Sequence, residues 1–141
     1  MSSENSPRKP RDLSTAEFQR VMALSPQERY AHFVERVANT QQIWSLRTRS
    51  GWVTMGDRSA GQIVPVWPDS RYAETFIGGE WAEAQVTGIT LRDWVDRRVP
   101  GMIKHGTRIA VFPVTASAEG AVVTEPERLQ WDLQRAAEQF E

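Results

Sequence analysis

The stretch Gln42-Ile43-Trp44-Ser45-Leu46-Arg47-Thr48-Arg49-Ser50-Gly51-Trp52-Val53-Thr54-Met55-Gly56 decides the fold class. Its two arms, Gln42–Thr48 and Trp52–Gly56, alternate in character, so that Trp44 and Leu46 share one face. Period-two patterning on both sides of a short connection, here Arg49-Ser50-Gly51, predicts a β-hairpin. Everything upstream of it follows a helical period instead, and downstream the two periods take turns.

Upstream, helix starts are marked by capping boxes, in which an N-cap hydroxyl and the acidic side chain three residues on satisfy each other's backbone N–H groups. Ser14-Thr15-Ala16-Glu17 opens one helix, with Leu13 placed to staple onto Phe18. Ser25-Pro26-Gln27-Glu28 opens a second, its proline at the first helical position, where the missing N–H costs nothing. The apolar stripe of this second helix is Tyr30, Phe33, Val34 and Val37. Downstream, Thr90-Leu91-Arg92-Asp93 opens a helix with Ile89 and Trp94 as its staple pair, and its stripe of Leu91, Trp94, Val95 and Val99 ends near Pro100-Gly101. Thr124-Glu125-Pro126-Glu127 opens the last, with Leu129, Leu133, Ala136 and Phe140 on one side. A shorter helix is expected from Asp69, as cap, through Tyr72, Ala73 and Phe76 to Gly78.

Strands occupy the remaining intervals. Gln62–Trp67 extends the first hairpin into a meander, and Arg108–Pro113 with Ala121–Thr124 forms a second hairpin across Ala116–Gly120. Ala84–Gly88 is a weaker candidate strand. Ile63–Trp67 and Ile109–Phe112 are apolar on both faces, which predicts strands covered on both sides or lying centrally, while Pro65 points to an edge or a bulge. The order is α-α-β-β-β-α-β-α-β-β-α. The expectation is a single α+β domain over residues 13–141, with an antiparallel or mixed sheet of about five to six strands packed with helices. Residues 1–12, rich in Ser, Pro and charge, read as a flexible tail; its Arg8, Lys9 and Arg11 are diluted by Glu4 and Asp12.

Several motifs in the middle of the chain recur together in one family: Pro65-Val66-Trp67-Pro68-Asp69-Ser70-Arg71-Tyr72-Ala73, Gly79-Glu80-Trp81, Leu91-Arg92-Asp93-Trp94, Val99-Pro100-Gly101 and Val111-Phe112-Pro113. On these, the chain resembles the bacterial family called domain of unknown function 2750, over about residues 26–140. The resemblance implies a bacterial, single-domain, cytosolic protein and carries no catalytic residues with it.

Composition excludes several function classes. The 141 residues suit one domain and are too few for two good cores. Lys and Arg total 17 against 18 for Asp and Glu, so no long-range field draws the chain to nucleic acid or to an anionic membrane. The absence of cysteine removes disulfides, thiolate nucleophiles and zinc-thiolate sites. Residues 1–10 have no apolar core after their charges, which argues against a signal peptide and for a cytoplasmic address. His32, expected on the polar face of its helix, and His105, at a helix end, stand apart without a carboxylate cluster, so no metal site and no cofactor are expected. Gly56-Asp57-Arg58-Ser59-Ala60-Gly61 lacks the Lys-Ser/Thr of a phosphate loop and reads as a connection. Glu80 and Glu83 flank Trp81 as candidate acid–base carboxylates, against the plainer reading of solvated glutamates at a turn.

The unusual feature is tryptophan, present six times, at 44, 52, 67, 81, 94 and 131. Trp94 belongs to its helix stripe and Trp44 to a strand face. Trp131 points away from Leu129, towards Arg135 and Glu138, and is expected to pack under the short N-terminal helix or else to meet a partner. Trp67-Pro68 and Gly78-Gly79-Glu80-Trp81 form a second candidate surface, where the two indoles approach each other if the intervening helix folds back, either as a structural aromatic clasp that closes this helix on the sheet or as a ligand groove. Two functions follow as expectations. One is a non-enzymatic protein-binding module, adaptor-like or immunity-like, using Trp67, Pro68, Glu80, Trp81 and Trp131. The other is a small-molecule-binding or enzymatic domain with a pocket beside Trp67 and Trp81.

Overall fold

Of the four expected N-cap hydroxyls, three accept the N–H expected of them, and one capping box is complete. In the computed structural model, which describes residues 14–55, 61–115 and 118–140, the Glu17 N–H donates to Ser14 Oγ at 3.1 Å and opens α1 (Thr15–Met22). At α2 (Pro26–Thr40) the box is reciprocal. The Glu28 N–H donates to Ser25 Oγ (3.2 Å), and the Ser25 N–H donates to Glu28 Oε1 (3.0 Å). Thr90 Oγ1 accepts from the Asp93 N–H at 3.1 Å and opens α4 (Leu91–Asp93). The fourth box does not form. Thr124 is still paired in a strand with Ile109, so Glu125 takes the cap position of α6 (Pro126–Ala137) without a side-chain bond. Ladder pairing outcompetes a local cap here.

Pro100-Gly101 does not end the third helix either. After α4 comes a π-helical stretch, Trp94–Arg98, in which the Val99 N–H reaches back to the Trp94 carbonyl, and α5 (Val99–His105) continues to Gly106. The wider π turn lies immediately ahead of the proline, whose ring and missing N–H a regular helix would not accommodate. Termination falls to Gly106, left-handed at φ 69°.

The elements follow the expected order, and the class is α+β. The six strands of the described residues nonetheless divide into two sheets instead of one. In the first, β1 (Gln42–Thr48) lies between β2 (Gly51–Trp52) and β4 (Gln85–Thr90), both antiparallel to it, in the order β2-β1-β4. The hairpin turns on Arg49-Ser50 alone, with Thr48 opposite Gly51. The weaker strand candidate proves to be the longest partner, matching β1 from Gln42–Thr90 to Arg47–Gln85.

The second sheet has the order β3-β5-β6, with β3 (Ile63–Val66) parallel to β5 (Arg108–Val111) and β6 (Val122–Thr124) antiparallel to it. β3 therefore does not extend the first hairpin into a meander. Isolated bridges flank it at both ends, Met55–Ile63 and Trp44–Trp67. Between these bridges, Pro65 lacks an N–H on an edge where none is needed, and its carbonyl accepts from Ser45 Oγ at 2.7 Å.

Helices α2 and α6 pack against each other and contribute Phe33, Val37, Leu129 and Leu133 to the core, all fully buried. From the sheets come Ile43, Leu46, Ile109 and Val111. Arg29, itself buried, fastens this layer. Its guanidinium donates to the carbonyls of Phe112 (2.9 Å), Leu24 (2.7 Å) and Gly120 (2.6 Å), and burial without a carboxylate lowers its pKa. The first of these bonds holds Phe112 in the left-handed region at φ 57°, a conformation that bulky residues rarely adopt. The tail 1–12, the Leu13 staple and the loop Gly56–Ala60, with the end of the second predicted strand, lie outside the described residues.

Candidate functional site

The parallel pair β3–β5 delivers two chain ends side by side, Trp67-Pro68-Asp69 and Phe112-Pro113. Trp67 continues the strand by exchanging backbone bonds with Trp44 (3.0 and 2.8 Å), which fixes its indole inward. There its Nε1 donates to the Pro113 carbonyl at 2.9 Å, and the residue is 0% exposed. Pro68 is buried beside it. Both are buried, because the bridge to β1 draws them between the two sheets.

The indoles of Trp67 and Trp81 do converge, but Phe76 lies between them, its ring 5.0 Å from Trp67 and 5.8 Å from Trp81. α3 (Ser70–Glu74) folds back as expected, and the turn at Gly79, φ 54°, brings Trp81 in. The result is the aromatic clasp that was one of the two readings of this stretch, with the Phe76 ring packed against both indoles. Trp81 is half-buried in the clasp, and the Glu80 side chain lies outside the described residues.

Asp69 caps α3 without bonding its backbone. Its carboxylate instead faces Arg36 of α2, whose Nη2 and Nε donate to the two oxygens at 3.1 and 3.2 Å. Asp69 is 1% exposed, and burial pushes its pKa up to about 6 even with Arg36 pulling the other way. Beside it Tyr72 is fully buried with its hydroxyl unpartnered, stacked on Phe18 of α1 (centroids 5.1 Å) and tilted against Phe112 (4.6 Å).

His32 belongs to the same neighbourhood. The sequence places it on a polar helix face, but α1 docks over that face. The ring is half-buried 6.1 Å from Phe112 with Nε2 unpartnered, and burial, followed by the Arg36 charge, lowers its pKa. His105 is exposed at the end of α5, as expected.

Because α1 docks on α3, it does not cover Trp131. That indole, expected beneath the N-terminal helix, is 54% exposed. It stands on the side of α6 away from Leu129 and Leu133, with the Arg135 guanidinium 4.7 Å over its ring. Between α2 and α6 runs an open groove of about 480 Å³, with Tyr30, Val34, Trp131 and Ala136 along it and Glu35 and Arg135 on its rims. The Tyr30 hydroxyl donates to Asp132, which also pairs with Arg128 at 3.3 Å. Burial and this carboxylate raise the phenol pKa well above its ordinary range. The groove floor is thereby locked, while its aromatic rim is free.

Among the described residues, no group of three or more His, Asp or Glu side chains is placed to hold a metal, and no helix is long and apolar enough to cross a membrane. Comparison with known families gives a match to the model described as Protein of unknown function (DUF2750), over residues 30–133, well over half of the chain. The chain belongs to the DUF2750 family. No curated protein and no solved structure matches it.

The DUF2750 segment takes in the aromatic clasp, the Arg36–Asp69 pair, His32, Tyr72 and the groove from Tyr30 to Trp131. It begins after α1, so the helix that closes over His32 and Tyr72 lies outside the part shared with the DUF2750 model.

Proposed function

We propose that this chain is a non-enzymatic protein-binding module that receives an amphipathic helix of a partner protein in the α2–α6 groove. The observation that carries the reading is Trp131, a large aromatic left 54% exposed beside a groove between two packed helices. Exposed tryptophan and arginine on a preformed surface are the residue types that dominate binding energy at protein interfaces. A groove between two packed helices fits a third helix, whose apolar side chains at i, i+3 and i+4 would settle over Tyr30, Val34 and Ala136. Glu35 on one rim and Arg135 on the other would select a helix with opposite charges on its two flanks. Trp67, Pro68 and Trp81 act in this reading as the scaffold that holds the sheets together. An adaptor-like or immunity-like role in the cytoplasm is part of the same proposal. It rests on a near-neutral, cysteine-free composition and on the absence of any feature calling for nucleic acid or membrane.

The test is site-specific photo-crosslinking in cells, with a photoreactive residue in place of Trp131 or Gln139, and in place of Lys104 of α5, outside the groove lining, as control. The expected result is one protein captured from both groove positions and not from the control, cross-linked through a segment with helical apolar spacing. Trp131→Ala, folded to the same melting temperature, should then weaken that complex by tenfold or more. Equal capture from Lys104, or binding unaffected by Trp131→Ala, would overturn the assignment.

A further inference from the structure

The tip of the first hairpin carries a second arrangement, unrelated to the α2–α6 groove. Arg47 lies directly across from Trp52 in the β1–β2 pairing, and its guanidinium carbon is 5.1 Å from the centre of the indole. Arg98, from the π-helical stretch, brings a second guanidinium to 4.8 Å from the same ring. Two cations thus share one indole. Among the described residues neither makes an ion pair or donates a hydrogen bond, whereas Arg36, Arg92 and Arg128 each have a carboxylate. Arg98 is partly buried, and its pKa is lowered by that burial and then by the charge of Arg47. Stacking on an aromatic face leaves the in-plane N–H edges of a guanidinium unspent. Like charges held together, with their donors unused, favour an anion.

There is room for one. A cavity of about 450 Å³ opens between the hairpin tip and α5, with Arg98 and Trp52 on its wall. Its other polar groups among the described residues are the Ser50, Thr54 and Thr107 hydroxyls, the Gln62 amide and the His105 imidazole; Val64 and Met102 supply an apolar floor, and no carboxylate of the described residues lines it. The volume falls within the range of small-molecule sites. A wider cleft of about 850 Å³ on the other side of the tip, sharing Ser50 and lined by Arg47 and Arg49, also contains Glu83, which would repel an anion. The charge pattern therefore selects the Arg98 side.

We infer that this cavity is a binding site for a small phosphate monoester, its phosphate held by Arg98 and the neighbouring hydroxyls with the Arg47 charge adding to the field from across Trp52, and its organic part set against Trp52, Val64 and Met102. Arginine suits this role because its planar fork matches two phosphate oxygens at once.

Phenyl phosphate and acetate would be titrated separately, at constant ionic strength, into the full-length isotopically labelled chain. The readouts are the side-chain Nε–H signals of Arg47 and Arg98 and the indole N–H of Trp52. Saturable shifts of these three signals with phenyl phosphate and none with acetate are expected. Arg98→Gln should weaken binding tenfold or more, and Lys104→Gln, outside the lining, should leave it unchanged. Should Arg98→Gln fail to fold, Arg47→Gln at an exposed position carries the same test, with a severalfold weakening expected. Linear shifts without saturation, equal response to acetate, or equal loss in Lys104→Gln would overturn the assignment. So would a single-stranded oligonucleotide that binds the same residues more tightly than phenyl phosphate, since the ligand would then be a nucleic-acid backbone.

Discussion

Asp69→Asn should change how stability depends on pH, in a direction set by the contest between burial and Arg36. The folded carboxyl has its pKa pushed from 3.8 up to about 6, so the folded chain holds this proton more tightly than the unfolded chain does. The linked stabilisation is fully present below pH 3.8 and is lost as pH rises through about 6. At 1.36 kcal/mol per pKa unit, the loss amounts to about 3 kcal/mol. Asparagine has no proton to lose.

Urea unfolding of both chains at a series of pH values between 3.5 and 8 gives the stability of the wild type minus that of the variant. This difference should fall by about 3 kcal/mol across the window and level off above it. His32 works in the opposite sense: its folded pKa is lowered, so its contribution is lost as pH falls below the ordinary 6.5. It is present in both chains and cancels in the difference, and Asp69 is not among the charges that shift it. A difference that stays flat, or rises with pH, would refute the reasoning and show that Arg36 holds the carboxylate ionised against burial.

Two further substitutions probe the backbone. Phe112→Ala should destabilise by about 3 to 5 kcal/mol through the lost ring. Phe112→Gly should be the less damaging of the two by about 1 kcal/mol, because φ 57° strains alanine and not glycine; chemical denaturation ranks them, and the reverse order would remove strain from the account. Gly88→Ala on β4 should cost about 1 to 3 kcal/mol, since an added Cβ would come within 3.0 Å of the Trp44 ring across the ladder. A shift in melting temperature reads this directly, and an unchanged value would mean that the half-buried indole moves aside freely.

The legible parts of the fold are those whose cause lies within a few residues. Ser14, Ser25 and Thr90 announce helices because the donor each one caps is three positions away. The same rule misplaces the start of α6, since Thr124 is claimed by Ile109 from fifteen residues upstream. It also misses the true role of Asp69, whose carboxylate is taken by Arg36 on another helix. Pro100 would end a helix by local logic, yet the π turn ahead of it lets the rod continue.

The candidate sites divide in the same way. That Trp131 stands opposite Leu129 on its helix can be read from spacing, because side-chain direction on a helix is set by residue number. Whether anything covers it depends on where α1 comes to rest, and α1 chose Tyr72 and left the indole open. The pairing of Arg47 and Arg98 around Trp52 joins residues some fifty positions apart and has no local trace.

By itself, then, the sequence determined the order and type of the elements, the two-sided burial of β3 and β5, and membership of the family, all of which rest on short-range periodicity and short motifs. The tertiary structure alone decided that the six strands of the described residues form two sheets, that Trp67 and Pro68 are buried, that His32 and Asp69 are enclosed, and that Trp131 is exposed. These are outcomes of long-range competition for limited core volume, in which each side chain's place depends on what every other element leaves uncovered.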